Sequence, residues 1–349
     1  MVNQITLAPM EGVLDHRLRH LLCAIGGIDQ CVTEFIRVTD KTYPKRVYEK
    51  IYPEMHQDSK TANNTPVKPQ LLGDNPKAMA ANATKLIQLG AKSIDINFGC
   101  PAKTVNSSGG GSVLLQYPNK LYAIVSAIRD ALPQDIPVSA KIRLGFTDDA
   151  LFLENVKAIE AAGASELTIH ARTKVQGYKP PAHYHKIAEI KDELQIKIIA
   201  NGEMWSVQDI EKCIRTTGVN DIMLGRGALA CPELALRAKG FLTNPMTWGH
   251  ICLLLLYYAK ILEADCPEKY QHALLKQWLI YLRYQYGEAH LFFEKVKKLS
   301  SANAIQMALI DSIKEKKQLI ENHLYIGQLD LSTFYSEIIS SPAHRICRL

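Results

Sequence analysis

The chain has 349 residues, of which 47 % are hydrophobic and 22 % charged, and its 41 Lys and Arg against 35 Asp and Glu give a net charge of +6. These proportions belong to a folded globular protein and exclude a disordered chain, while the length accommodates one large domain with an appendage or two ordinary domains. The mild positive charge permits a polyanionic partner without requiring one.

Short β-branched runs are expected as strands at residues 5–8, 31–34, 67–71, 93–97, 138–143, 166–170, 197–200 and 221–224. Amphipathic stretches at 76–89, 118–131, 151–162 and 207–216 are expected as helices. Several close on a glycine (Gly90, Gly163, Gly218), as a helix C-terminus prefers. Strands alternating with helices imply a parallel sheet. Eight such units within residues 1–240 predict an α/β fold of the (β/α)8 TIM-barrel type, and no GxGxxG follows the first strand to suggest a dinucleotide fold. Residues 41–66 break the rhythm and predict a helix and a loop carried outside the barrel.

After Gly240 the β pattern stops. Helices are expected at 247–264, 272–286, 288–299 and 303–313, the second with Leu275, Trp278, Leu279 and Leu282 on one buried stripe. These form a small C-terminal all-α domain over 241–317. Residues 318–349 are a tail of weak periodicity, compatible with a docked helix or a loose end. The longest apolar run, 251–259, is too short to span a membrane, and the opening MVNQITLAPM has no basic segment leading into a long apolar one. A soluble cytoplasmic protein with no membrane association is therefore expected. The eight cysteines show no CxxC spacing, so neither a zinc site nor a thioredoxin-like pair is expected, and no metal.

In a barrel of this kind the active site lies at the C-terminal ends of the strands. In order these ends carry Pro9 and Met10; Glu34 and Arg37; Gln70; Asp95, Asn97 and Cys100; Lys141 and Arg143; His170 and Arg172; Asn201, Gly202 and Glu203; and Gly225, Arg226 and Gly227. Any one is compatible with an ordinary turn. Polar or glycine residues at eight ends in register point to a site. The glycines after the seventh and eighth strands let backbone N–H groups approach a phosphate, and Arg226 adds a forked cation. Lys141 offers a charge to an electron-rich ring, and Gln70 offers donors and an acceptor to the edge of a heterocycle. Together these suggest a bed for flavin mononucleotide. Cys100, in a Gly-Cys-Pro turn followed by the glycines 109–111, is a reactive-thiol candidate under a flexible lid.

With APMEG, EF-x-R, QLLG, DINFGCP, KIRLG, HART, NGE and GRG in this order, residues 5–315 resemble the tRNA-dihydrouridine synthase family. EFIRV around Arg37, CPAKTVN, and KQWLIYLR from Lys276 to Arg283 resemble most its bacterial C subfamily, which acts on position 16 of the tRNA D-loop. The resemblance implies FMN reduced by NADPH, hydride delivery to C6 of a uracil and protonation of C5. It makes Cys100 the proton donor. It puts Pro9, Met10, Glu11, Gln70, Lys141, His170, Asn201, Gly202, Glu203, Gly225 and Arg226 around FMN, and Asn97 on the uracil. It implies tRNA contacts from Arg37, Arg143, Arg172, Lys276, Arg283 and Lys297, with tRNA as the partner of a monomer. A thiol with an ordinary pKa of about 8.5 is protonated at neutral pH, which suits an acid.

Two other readings share parts of this pattern. An FMN barrel that reduces a small molecule, a pyrimidine or an enone, shares the flavin bed but does not need the basic helical domain. A tRNA-binding chaperone without catalysis does not need Cys100, Lys141 and Arg226.

Overall fold

In the computed structural model the described residues are 2–315, 325–326, 329–332 and 334–336. Eight parallel strands close a barrel in chain order: β1 (Gln4–Leu7), β2 (Gln30–Arg37), β3 (Val67–Leu72), β4 (Ile94–Asn97), β5 (Val138–Arg143), β6 (Glu166–His170), β7 (Lys197–Asn201) and β8 (Asp221–Leu224). Closure comes from β1 on β8, with Gln4 opposite Asp221 and Leu7 opposite Leu224. The expected strands lie within one to three residues of these. The largest difference is β2, which runs on past Glu34 to Arg37. Its register on β3 shifts between Val32 and Phe35, and this bulge lets the strand continue while Phe35 and Ile36 stay buried.

The helices follow from local chemistry. Pro76–Gln88 begins with Asn75 accepting from the Ala78 N–H and with proline in its first turn. Val207–Thr217 has a full capping box, Ser206 with Asp209, and ends on Gly218 at φ +68°. The excursion at 41–66 contains the helix Lys45–Ile51 and a 3-10 turn, Pro53–His56. Within the barrel Ala8, Val32, Ile199 and Met223 pack together as an apolar layer.

Two compact units divide the chain: Met1–His16 with Ile28–Gly225, and Arg17–Gly27 with Arg226–Leu349. The second is helical, built on Trp248–Asp265, Glu268–Leu282, Gly287–Val296 and Ala302–Glu315. Leu275, Trp278, Leu279 and Leu282 are all buried, as their spacing predicted. The Trp278 indole donates to the Leu229 carbonyl at 3.0 Å and meets the Tyr258 ring edge-on. Glu233 is wholly buried. It accepts from the Tyr286 hydroxyl at 2.9 Å and the Met246 N–H at 3.0 Å, so its charge is met by donors.

Of the expected tail, the parts outside the described residues include 318–324 and 337–349. Its described part pairs Tyr325–Ile326 with Leu329–Asp330 and buries Leu331 and Tyr335, while the Phe334 ring meets Tyr257. Among the described residues no helix is long and apolar enough to cross a membrane.

Candidate active site

Parallel pairing sets the ends of β3, β4 and β5 side by side, with Gln70 opposite Asp95 and Asn97 opposite Lys141. Their buried side chains form one chain of hydrogen bonds. Gln70 Nε2 donates to Asp95 Oδ2 at 2.6 Å, and Ser139 Oγ donates to Asp95 Oδ1 at 2.6 Å. Asn97 Nδ2 donates to Gln70 Oε1 at 2.8 Å. Asn97 Oδ1 then accepts the N–H groups of Gly99 and Cys100, both at 2.9 Å. Asn97, expected on the uracil, thus spends its oxygen on the turn that carries Cys100 and keeps one amide hydrogen for a ligand.

The other side of Cys100 is clamped as well. Its carbonyl accepts from Asn106 Nδ2 at 3.0 Å, from the Ser112 N–H at 3.1 Å and from the Ser112 hydroxyl. Asn106 Oδ1 in turn accepts the Val113 N–H at 2.8 Å. The loop, expected from its glycines to be a flexible lid, is thus hydrogen-bonded at Cys100, Asn106, Ser112 and Val113. Gly111 sits at φ +68°, and a Cβ there would lie 2.9 Å from the Cys100 carbonyl oxygen. Arg37 Nη2 donates to the Thr104 carbonyl at 3.0 Å and to Ser108 Oγ at 2.7 Å, bracing the same loop from outside. The Cys100 thiol is half-buried against Phe35, Leu72 and Val105. Burial pushes its pKa up, which keeps the proton on sulfur at neutral pH.

Next to Asn97, Lys141 Nζ donates to Asn201 Oδ1 at 3.1 Å, and Asn201 Nδ2 donates to the Met223 carbonyl at 2.8 Å. Burial, and then the nearby charge of Arg143, bring the Lys141 ammonium down to about 7, with Asp95 opposing. An ammonium bonded here to an amide rather than a carboxylate, ringed by Gln70, Asn97 and Asn201, suits an electron-rich ring that gains negative charge. The donor set therefore fits the flavin expected there. Pro9 and Met10 follow β1 half-buried, and Glu11 is exposed. His170 is buried and meets the Tyr178 ring edge-on at 6.1 Å.

Several expected contacts serve the protein instead. Arg143 is buried, donating to the carbonyls of Gly99 at 2.9 Å and Gly177 at 2.9 Å, with its guanidinium over Tyr178. Arg172 is fully buried, paired with Glu203 and donating to the Pro181 carbonyl. Arg143 is thus bonded into the loops after β4 and β6, and Arg172 to Pro181 after β6 and to Glu203 after β7. Glu203, expected at the flavin, also accepts from the Trp205 indole at 2.6 Å. Gly202 has a packing reason beside the phosphate one: a Cβ would stand 2.8 Å from the Tyr184 ring. Gly225 differs, since a Cβ there would make only ordinary contact with Ala8 and Met10.

Within the helical unit, Arg226 opens the helix Arg226–Ala230. Lys276 Nζ donates to the carbonyl of Leu299 at 2.9 Å, capping the chain beyond Gly287–Val296. Arg283 stacks its guanidinium on Phe293, 4.3 Å from the ring centre. Lys297 is exposed and paired with Glu294. The residues that sequence reasoning missed are Ser139, Asn106 and Ser112. Ser139 reaches a carboxylate on the neighbouring strand, while Asn106 and Ser112 bond backbone groups within their own loop.

Comparison with known proteins supports the same assignment. Residues 6–301 match the model of the dihydrouridine synthase (Dus) family. A tRNA-dihydrouridine(16) synthase of Shewanella oneidensis is 46 % identical over 306 residues, covering 88 % of this chain and 97 % of that protein. The protein of that name from Haemophilus influenzae is 42 % identical over 307 residues, 88 % of this chain and 99 % of the other. Among solved structures, histamine dehydrogenase from Rhizobium sp. 4-9 superposes with a TM-score of 0.53 at 12 % identity, over 74 % of this chain and 49 % of the other. A 2-naphthoyl-CoA reductase complex gives 0.51 at 14 % identity, over 68 % and 50 %. These two speak for the barrel alone. A family match over most of the chain, with relatives above 40 % identity along nearly their whole length, makes this chain a member of the dihydrouridine synthase family.

Proposed function

We propose that this protein reduces uridine to 5,6-dihydrouridine in the D-loop of tRNA, at position 16, with FMN as its flavin and NADPH as reductant. The observation that carries this reading is Cys100. Its backbone is clamped on both sides, its thiol is kept protonated by burial, and its turn rests on Asn97, which lies opposite Lys141 in the β4–β5 register. The names of the relatives support tRNA and position 16.

Bound FMN would supply the hydride for C6 of the uracil. Cys100 gives its proton to C5. Lys141 and Asn201 would hold the electron-rich edge of the flavin, with Pro9, Met10, Glu11, Gln70 and His170 around it, and Gly202 and Gly225 would hold its phosphate. The free amide hydrogen of Asn97 meets a uracil carbonyl. The target base leaves its stack to reach this depth, so residues 1–240 do the chemistry and the helical residues 241–317 track the RNA backbone. Arg37, Arg283 and Lys297 are the cations we assign to that contact. We assign no role to residues 318–349. A cytoplasmic monomer that needs no metal completes the reading.

The test is to incubate purified protein with NADPH and unmodified tRNA and map each uridine by mass spectrometry for a gain of two hydrogens. Conversion at position 16 alone supports the whole proposal. Conversion elsewhere in the D-loop keeps the reaction and overturns the position. Yellow protein that oxidises NADPH and leaves RNA untouched would instead indicate a small-molecule flavin reductase.

A further inference from the structure

We propose that Asp95 is a positioning residue for the proton donor, its carboxylate setting the polarity of a two-amide relay that ends at Cys100. The inference rests on the reading of Cys100 given above. The N–H groups of Gly99 and Cys100 can only donate, so the Asn97 atom facing them is its oxygen. The Asn97 NH2 must then face Gln70 and needs an acceptor, which is Gln70 Oε1. The Gln70 NH2 is thereby turned toward position 95, where it needs an acceptor again and finds Asp95 Oδ2.

Each amide has nearly the same shape when flipped, so sterics do not choose between the two orientations. Donors and acceptors at the two ends choose. Backbone N–H groups stand at one end, and a carboxylate, acceptor-only when ionised, stands at the other. Ser139 donates to the second carboxylate oxygen and holds it in plane with the relay. Gln70, Asp95 and Asn97 are 0 %, 2 % and 7 % exposed, so water does not substitute for a lost partner. Asp95 meets Gln70 and Ser139 and acts on Cys100 only through them, which is why it is a positioning residue.

Two substitutions separate acceptor from charge. In Asp95→Asn the new amide oxygen still accepts from Gln70 while its NH2 turns to Ser139 Oγ, whose hydroxyl is 3.5 Å from the Ile94 carbonyl. Asp95→Leu keeps the volume and removes the acceptor. Three readouts are taken on flavin-loaded protein: flavin reduction by NADPH, the uridine step with unmodified tRNA, and amide exchange of the peptide containing Gly99 and Cys100.

For Asp95→Leu we expect exchange at Gly99–Cys100 about tenfold faster and the uridine step about tenfold slower, with a smaller loss in NADPH reduction, since Asp95 also meets Gln70 and the charge of Lys141. For Asp95→Asn all three stay within about threefold. Unchanged exchange in Asp95→Leu overturns the proposal, and so does an equal loss in both half-reactions. Asp95→Asn behaving like Asp95→Leu overturns it too, since charge would then matter rather than the acceptor.

If Asp95→Leu does not fold, the exchanged pair Gln70→Glu with Asp95→Asn moves the carboxylate one link along and leaves the polarity toward Asn97 intact. Its exchange is expected within about twofold of the parent, against about tenfold faster for Gln70→Leu alone, which leaves the Asn97 amide without its acceptor. Equal exchange in these two variants overturns the relay. A parent that converts no uridine would defeat the proposed function, while amide exchange would still decide the relay.

Discussion

At Cys100 two properties meet that a sequence cannot supply together, a thiol kept protonated by burial and a backbone clamped on both sides. Replacing Cys100 by alanine should slow dihydrouridine formation by about 10²-fold or more while leaving flavin reduction by NADPH unchanged. Stopped-flow traces of the two half-reactions would check this, and a matched loss in both would contradict the role. Lys141 yields a second expectation, with its sign fixed by linkage. Its folded pKa of about 7 lies below the 10.5 of free lysine. Between those values the unfolded chain holds a proton that the folded chain lacks, so stability rises with pH across that window. Below it both forms carry the proton and the burial penalty is complete. Urea melts of flavin-free protein at about pH 7 and pH 9 should show this gain, and Lys141→Met should flatten it.

Among the elements, the turn from Cys100 to Val113 shows how a short loop becomes rigid. Asn106 alone bonds the carbonyls of Cys100 and Ala102 and the Val113 N–H. Asn106→Ala should cost about 1–3 kcal/mol, since the Val113 N–H loses its partner while the Cys100 carbonyl keeps only its donors from Ser112. It should also speed alkylation of Cys100 by iodoacetamide severalfold. A melting temperature and alkylation rate equal to the parent's would show that the clamp is redundant. The extension of β2 to Arg37 belongs to this scale too. The bulge carries the strand far enough for Arg37 to reach Thr104 and Ser108, so a residue expected at the RNA also braces the loop.

For the molecule as a whole, the basic residues of the helical unit divide by what they touch. Lys276 caps backbone carbonyls, and Lys297 projects from an exposed position beside Glu294. Lys276→Met should therefore lower stability by about 1 kcal/mol. Lys297→Ala should leave the melting temperature alone, weaken tRNA binding and reduce the salt dependence of that binding by about one counterion. Filter-binding titrations at several salt concentrations, run beside thermal melts, distinguish the two. If Lys297→Ala binds tRNA as the parent does at every salt concentration, the proposed RNA face lies elsewhere.

Strand and helix periodicity, the glycines at helix ends and the order of the strand-end motifs were enough to read the eight-stranded barrel, the buried stripe of Leu275 to Leu282 and the set of polar residues at the mouth. These are local patterns, each written in a few neighbouring residues, so the sequence by itself determined them. What each polar side chain does was decided only in three dimensions. Arg143 and Arg172, expected as RNA contacts, are buried and bonded to a loop carbonyl and to Glu203. Asn97 looks like a ligand contact and gives its oxygen to a turn. Asp95 finds Gln70 and Ser139 on neighbouring strands that the sequence separates. A hydrogen bond depends on distance and direction between groups brought together by barrel closure, and one chain's order of residues does not encode which of several donors a given acceptor will face.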